Sequence, residues 1–145
     1  MMRWREDHRR GRPDDEGSIL LLTLGYALLA IAVILVCIDA TSLYLAQKRL
    51  DALADAAALA GADGFTLVVD AGEPRAVLSD DGVRDQAETI VAEAGDGATV
   101  IEAGTPDGVS ARVRVADTWR PPLVALFVPD GVALSATATS RTALR

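Results

Sequence analysis

Enzyme chemistry needs a nucleophile, a base or a set of metal ligands spaced so that they meet, and this chain offers few candidates. It has one histidine, His8, and one cysteine, Cys37. A Ser, His and Asp relay, a CxxC pair, a phosphate-cradling glycine loop and a His-rich zinc set are all missing from its 145 residues. His8 stands among charged residues near the N-terminus and reads as a solvated side chain. Cys37 stands in an apolar run and reads as a small apolar residue. Being single, it excludes an intramolecular disulfide and leaves only a bridge between two copies. Asp51 and Asp55 lie one helical turn apart, but Lys48 is near enough to Asp51 to offset their repulsion, so both read as a solvated face rather than an acid and base pair. The five Asp-Gly pairs lack the ligand spacing of a calcium loop and read as turns. This inventory predicts no enzyme, no cofactor and no metal.

In place of a reactive cluster the chain has one element of unusual length. Between Glu16 and Asp39 lie 22 uncharged residues, GSILLLTLGYALLAIAVILVCI. A helix of that length crosses ~30 Å of hydrocarbon at a rise of ~1.5 Å per residue. A secretory signal peptide is the competing reading, but its apolar core runs to about 7–15 residues and ends at a small-residue cleavage site. Here the run is longer and continues into DATSLYLAQKRL, so a retained span is expected. Arg3, Arg5, Arg9, Arg10 and Arg12 precede it, and only Lys48 and Arg49 follow closely. By the positive-inside rule the N-terminus is then cytoplasmic and everything after Asp39 lies outside. From residue 39 onward nine bases face sixteen acids, a balance that repels phosphate backbones, and no nucleic-acid partner is expected.

No Gly or Pro interrupts residues 26–60, which predicts a single helix from about Ser18 to about Gly61, roughly 65 Å long, with a stop at 62–64. The divisions that follow are a cytoplasmic tail or leader (1–17), the span (18–38), an extra-membrane continuation of the helix (39–61) and a small domain (65–145). In the outer half Leu43, Ala46, Leu50, Leu53, Ala57 and Ala60 recur at alternating spacings of three and four, forming one apolar seam. Such a seam buries either against the rest of the chain or against helices of other subunits, and alanine allows close approach in both cases.

Beyond Gly64 the pattern shortens. Residues 65–70 (FTLVVD) and 75–79 (RAVLS) read as strands about a turn at 71–74. Residues 80–94 read as a helix with Ser79 or Asp80 as N-cap, an apolar stripe of Val83, Ala87, Ile90, Val91 and Ala94, and a stop at Gly95. ATVIEAG (98–104) and VSARVRVAD (109–117) flank Thr-Pro-Asp-Gly, a hairpin turn in which Pro106 sets φ and Gly108 accepts a positive φ. Val109, Ala111, Val113 and Val115 alternate with Ser110, Arg112 and Arg114, giving one buried and one wet face. LVALFV (123–128), after the Pro121, Pro122 break, reads as an exposed apolar stretch, and residues 132–144 read as a last strand. The expected fold class is α+β: a long N-terminal transmembrane helix continuing into a small pilin-like domain with a mostly antiparallel sheet and one further helix.

The segment 15–65, with Glu-Gly-Ser before the span and IDATSLYLAQKRLDALADAAALAGADG after it, resembles the TadE/TadG-like proteins of Flp (tight adherence) pilus assembly, in particular their short TadE-like or minor-pilin-like members. The residues that carry the likeness are Asp39 at the end of the span, the aromatic Tyr44 after it, and the Ala-Asp-Ala-Ala-Ala-Leu-Ala block at 54–60 containing Asp55. The resemblance implies a bacterial, non-enzymatic membrane component of a pilus or type II-related secretion apparatus, acting by helix packing with other subunits. It also implies a prepilin peptidase as a partner, cutting between Gly17 and Ser18; the fifth residue after that bond is Leu22 where pilins commonly carry Glu. The alternative is a single-pass membrane-anchored binding domain or secreted effector unrelated to a pilus, using 123–128 or 132–144 to hold its partner.

Overall fold

The computed structural model describes residues 14–70 and 72–141. The expectations for the N-terminal arginines and His8, for Ala71 in the first turn and for residues 142–144 of the last strand lie outside them. Helix α1 runs Asp14–Asp63, and the chain divides into two compact units between Cys37 and Ile38, inside that helix.

The first unit is, in its described part, the apolar half of α1. Its large side chains are exposed apart from the half-buried Leu35, with Leu21 the most exposed of them at 75%. The Thr23 hydroxyl donates to the Leu20 carbonyl at 2.9 Å, so the helix backbone takes up that polar group, as hydrocarbon requires.

The second unit holds the rest of α1, a hairpin of β1 (Thr66–Asp70) and β2 (Glu73–Val77), helix α2 (Asp80–Ala94), and a three-stranded antiparallel sheet of β3 (Thr99–Gly104), β4 (Ser110–Trp119) and β5 (Val132–Arg141) in the order β3-β4-β5. The fold is α+β. Ser79 caps α2, its hydroxyl accepting the Gly82 N–H at 3.2 Å, and the Gly95 N–H closes the other end on the Val91 carbonyl at 2.8 Å. The β3–β4 turn is held by Asp107, whose carboxylate accepts the N–H groups of Val109 (3.0 Å) and Ser110 (2.6 Å) and the Ser110 hydroxyl (2.8 Å). Gly108 there has φ +76°, a conformation that costs a side-chain-bearing residue strain.

The inner face of the sheet meets both helices. Leu50, Leu53, Ala54, Ala57, Ala58 and Ala62 of α1 share one core with Val83, Ala87 and Val91 of α2 and with Ala103, Ala111, Val113, Val115, Ala136 and Ala138 of the sheet. Small side chains on both sides let helix and sheet approach closely. The largest fully buried side chains are three valines and a proline, so each core residue contributes modestly.

Four local expectations need correction. Helix α1 starts at Asp14 rather than near Ser18, and ends at Asp63, within the expected stop at 62–64; Gly61 inside it is a packing position, where a Cβ would lie 2.9 Å from Val83 Cγ1 and 3.3 Å from Ala111 Cβ. Strand β2 starts at Glu73 and ends at Val77, so the turn is shorter than 71–74 and Pro74 pairs within the hairpin opposite Val69. An edge strand tolerates proline because no ladder donor is needed on its open side. Val109 is exposed and Ser110 buried, the reverse of the alternation expected there, because β4 begins at Ser110 and the Asp107 turn draws its hydroxyl inward. In α2, Ala94 is exposed and Ile90 half-buried, leaving the buried stripe at Val83, Ala87 and Val91.

Candidate functional site

The residues singled out in the sequence fall into three groups along α1. Gly17 and Ser18 lie near its start, both exposed, and a Cβ on Gly17 would meet nothing within 4 Å. The seam lies in the second unit: Leu50, Leu53 and Ala57 are buried in the core just described, while Leu43, Ala46 and Ala60 are half-buried along its edges. Of the motif residues, Asp39 is buried, whereas Tyr44 and Asp55 face outward.

Asp39 ends the uncharged run and opens a set of ties between α1 and the sheet domain. Its Oδ1 accepts the Leu123 N–H at 3.3 Å, and its Oδ2 has no hydrogen-bond partner among the described residues. One helical turn further, the Ser42 hydroxyl oxygen accepts the Trp119 indole N–H at 3.1 Å. Gln47 then donates its amide to the Ser135 carbonyl at 3.2 Å and to Asp51 Oδ1 at 2.9 Å. Lys48 Nζ lies 3.1 Å from Asp51 Oδ2 and 5.9 Å from the centre of the Tyr44 ring. The Gln47 amide, with Lys48 next, holds the Asp51 carboxyl below its usual range, and the bond to Asp51 raises Lys48. An exposed pair of this kind contributes little to stability.

The sequence reading did not find Ser42, Trp119 or the tie from Asp39 to Leu123. Their partners are separated by 77 and 84 residues, beyond the reach of any local pattern; the position of Asp39 at the end of the run was the available signal. A cleft of about 400 Å³ between α2 and β3, lined by Asp80, Arg84, Glu102 and Arg112 among others, is occupied in part by structural bonding, since Asp80 Oδ1 accepts the Thr105 N–H at 2.7 Å. Among the described residues no cluster of His, Cys, Asp or Glu is arranged to hold a metal ion.

Residues 17–64 match the family described as putative Flp pilus-assembly TadE/G-like. The chain carries a TadE/G-like segment. The match begins at the glycine before the apolar run and ends at the glycine that stops α1, so the TadE/G-like segment is the helix itself, span candidate and alanine-rich half together. No curated protein and no solved structure matches the chain.

Proposed function

We propose that the protein is a membrane-anchored, non-enzymatic subunit of a Flp-type pilus assembly or related secretion apparatus, with residues 18–38 spanning the bilayer, the N-terminus cytoplasmic and residues 39–145 outside. One observation carries this reading: the TadE/G-like match begins with a helical run, residues 17–38, that is uncharged and exposed almost throughout. Exposed leucine and isoleucine in that density need a lipid or protein surround. The five arginines before the run, against only Lys48 and Arg49 close after it, support the orientation.

The seam is occupied by the chain's own sheet, so contact with other subunits falls to the surfaces of α1 left over. In the second unit these include Ile38, Leu45, Ala52, Ala56 and Leu59, which lie on one side of the helix and are exposed. Short side chains at 52 and 56 suit close helix packing. Processing by a prepilin peptidase between Gly17 and Ser18 would release the tail and leave the span as the new N-terminus.

The test is photo-crosslinking in the native cell from positions 45 and 56, with Leu53 as the buried control. Adducts to pilus-machine subunits from 45 and 56, together with loss of fibres when the chain is deleted, are expected. Full fibre production in the deleted strain would favour the anchored binding domain or effector unrelated to a pilus.

A further inference from the structure

The most exposed large apolar side chains of the described residues are neither in the span nor on the seam. They are Leu126 (94%) and Phe127 (85%), at the tip of the loop 120–131 between β4 and β5. This loop is built rather than loose. Pro121 is fully buried, the Phe127 and Val128 N–H groups both donate to the Val124 carbonyl (2.9 and 3.3 Å), and Gly131 N–H donates to the Val128 carbonyl at 3.2 Å. Its backbone is closed on itself while its apolar side chains point away from the core. From Pro121 to Pro129 it carries no charge.

Its position follows from two bonds. Leu123 N–H is held on Asp39, the residue immediately after the uncharged run, and Trp119 is held on Ser42, one turn further. Leu126 follows Leu123 by three residues, so its backbone lies at most ~11 Å from Leu123, which is itself held on Asp39 at the end of the apolar run. Tyr44 and Trp119 belong to the same zone, and aromatic side chains of this kind favour the boundary between headgroups and hydrocarbon.

We propose that the loop 121–128 is a second membrane contact: Leu126 and Phe127 insert into the outer interface of the bilayer that α1 crosses. This rests on the membrane-anchored reading above. A folded domain on a single helix swivels and tilts freely; a second apolar contact beside the exit point holds it at one height and one rotation relative to the lipid surface. The β1–β2 hairpin also exposes Leu67 and Val69, but it follows the far end of α1, about 36 Å along the helix from Asp39, and is out of reach of the same surface.

The test uses the full chain in phosphatidylcholine and phosphatidylglycerol vesicles, in a Cys37→Ala background, with single cysteines at Phe127→Cys, Leu67→Cys and Ile31→Cys. Each carries an environment-sensitive fluorophore, read with and without nitroxide-bearing lipids. Blue-shifted and nitroxide-quenched emission from 127 and 31, with water-like, unquenched emission from 67, is the expected result. Quenching at 31 with water-like emission at 127 overturns the loop contact and leaves the span intact. A blue shift at 127 without quenching overturns it in favour of a protein cover, such as a second copy of the chain. No quenching at 31 removes the span itself, and the loop contact with it.

Discussion

The two halves of α1 are one continuous helix built from opposite materials. Residues 17–37 are mostly bulky aliphatics exposed nearly all round; residues 38–63 are rich in alanine and are buried along one side against valines and alanines of the sheet and α2. Bulk and uniform exposure suit a surround that accepts any apolar surface, whereas small side chains suit a fixed partner at short range. The same backbone geometry therefore serves as a solvent-matched rod in one half and as a core element in the other, and side-chain size decides which.

Charge separates the halves most sharply. Leu53→Glu places a carboxylate among buried Leu50, Ala57 and the sheet, and should cost on the order of 4 kcal/mol, enough to unfold the second unit. Leu59→Glu, on the exposed side of the same turns, should stay within about 0.5 kcal/mol. Thermal melts by circular dichroism in mild detergent compare them; equal losses would mean that the two sides of this half are not distinguished. In the other half Leu28→Arg should leave the melt unchanged yet weaken insertion by about 2.5–3.5 kcal/mol, read as the fraction of chain resisting carbonate extraction.

Glycine gives a finer version. At Gly61 an added methyl meets Val83 at 2.9 Å, whereas at Gly25 it meets nothing within 4 Å. Overpacking of about 1–3 kcal/mol, partly offset by about 1 kcal/mol of helix propensity, makes Gly61→Ala destabilising by about 1 kcal/mol, while Gly25→Ala leaves the melt unchanged. A stabilised Gly61→Ala variant would show that α1 does not approach α2 and β4 so closely.

The smallest effect is in pH. Asp107 is held below the usual carboxylate range by the Val109 N–H first, with Ser110 adding to it. A carboxyl lowered on folding contributes stability above its unfolded value near ~3.9, and that contribution fades as pH falls through the lower folded value. Asp107→Ala should lower the melt slightly at neutral pH and flatten its acid limb. The apolar half, which has no carboxylate from Gly17 to Ile38, should keep its helicity through the same titration.

Much of this architecture was legible in the sequence, for identifiable reasons. The long helix shows because an uncharged run and an unbroken 3.6-residue pattern are local signals, and the β3–β4 hairpin shows because Pro106, Asp107 and Gly108 spell their own turn. Pro74 misled because its residue type has two uses: it makes a turn or sits on an open edge. The seam could be read as apolar but not assigned a partner, since Leu50 and Leu53 look the same whether they meet a sheet or a neighbouring subunit. The exposure of Leu126 and Phe127 was legible in the apolar run after Pro121 and Pro122, whereas the Asp39 to Leu123 tie joins residues far apart in the chain, and no period or motif announces it.

The most direct test of the central claim is the intact mass of the chain recovered from carbonate-washed membranes, in cells with and without prepilin peptidase. The account predicts that residues 18–38 are present in every membrane-bound species, with loss of residues 1–17 in the peptidase-bearing cells alone if the Gly17–Ser18 bond is cut. A mature chain beginning near residue 40, or recovery of the whole protein in the wash, would contradict it.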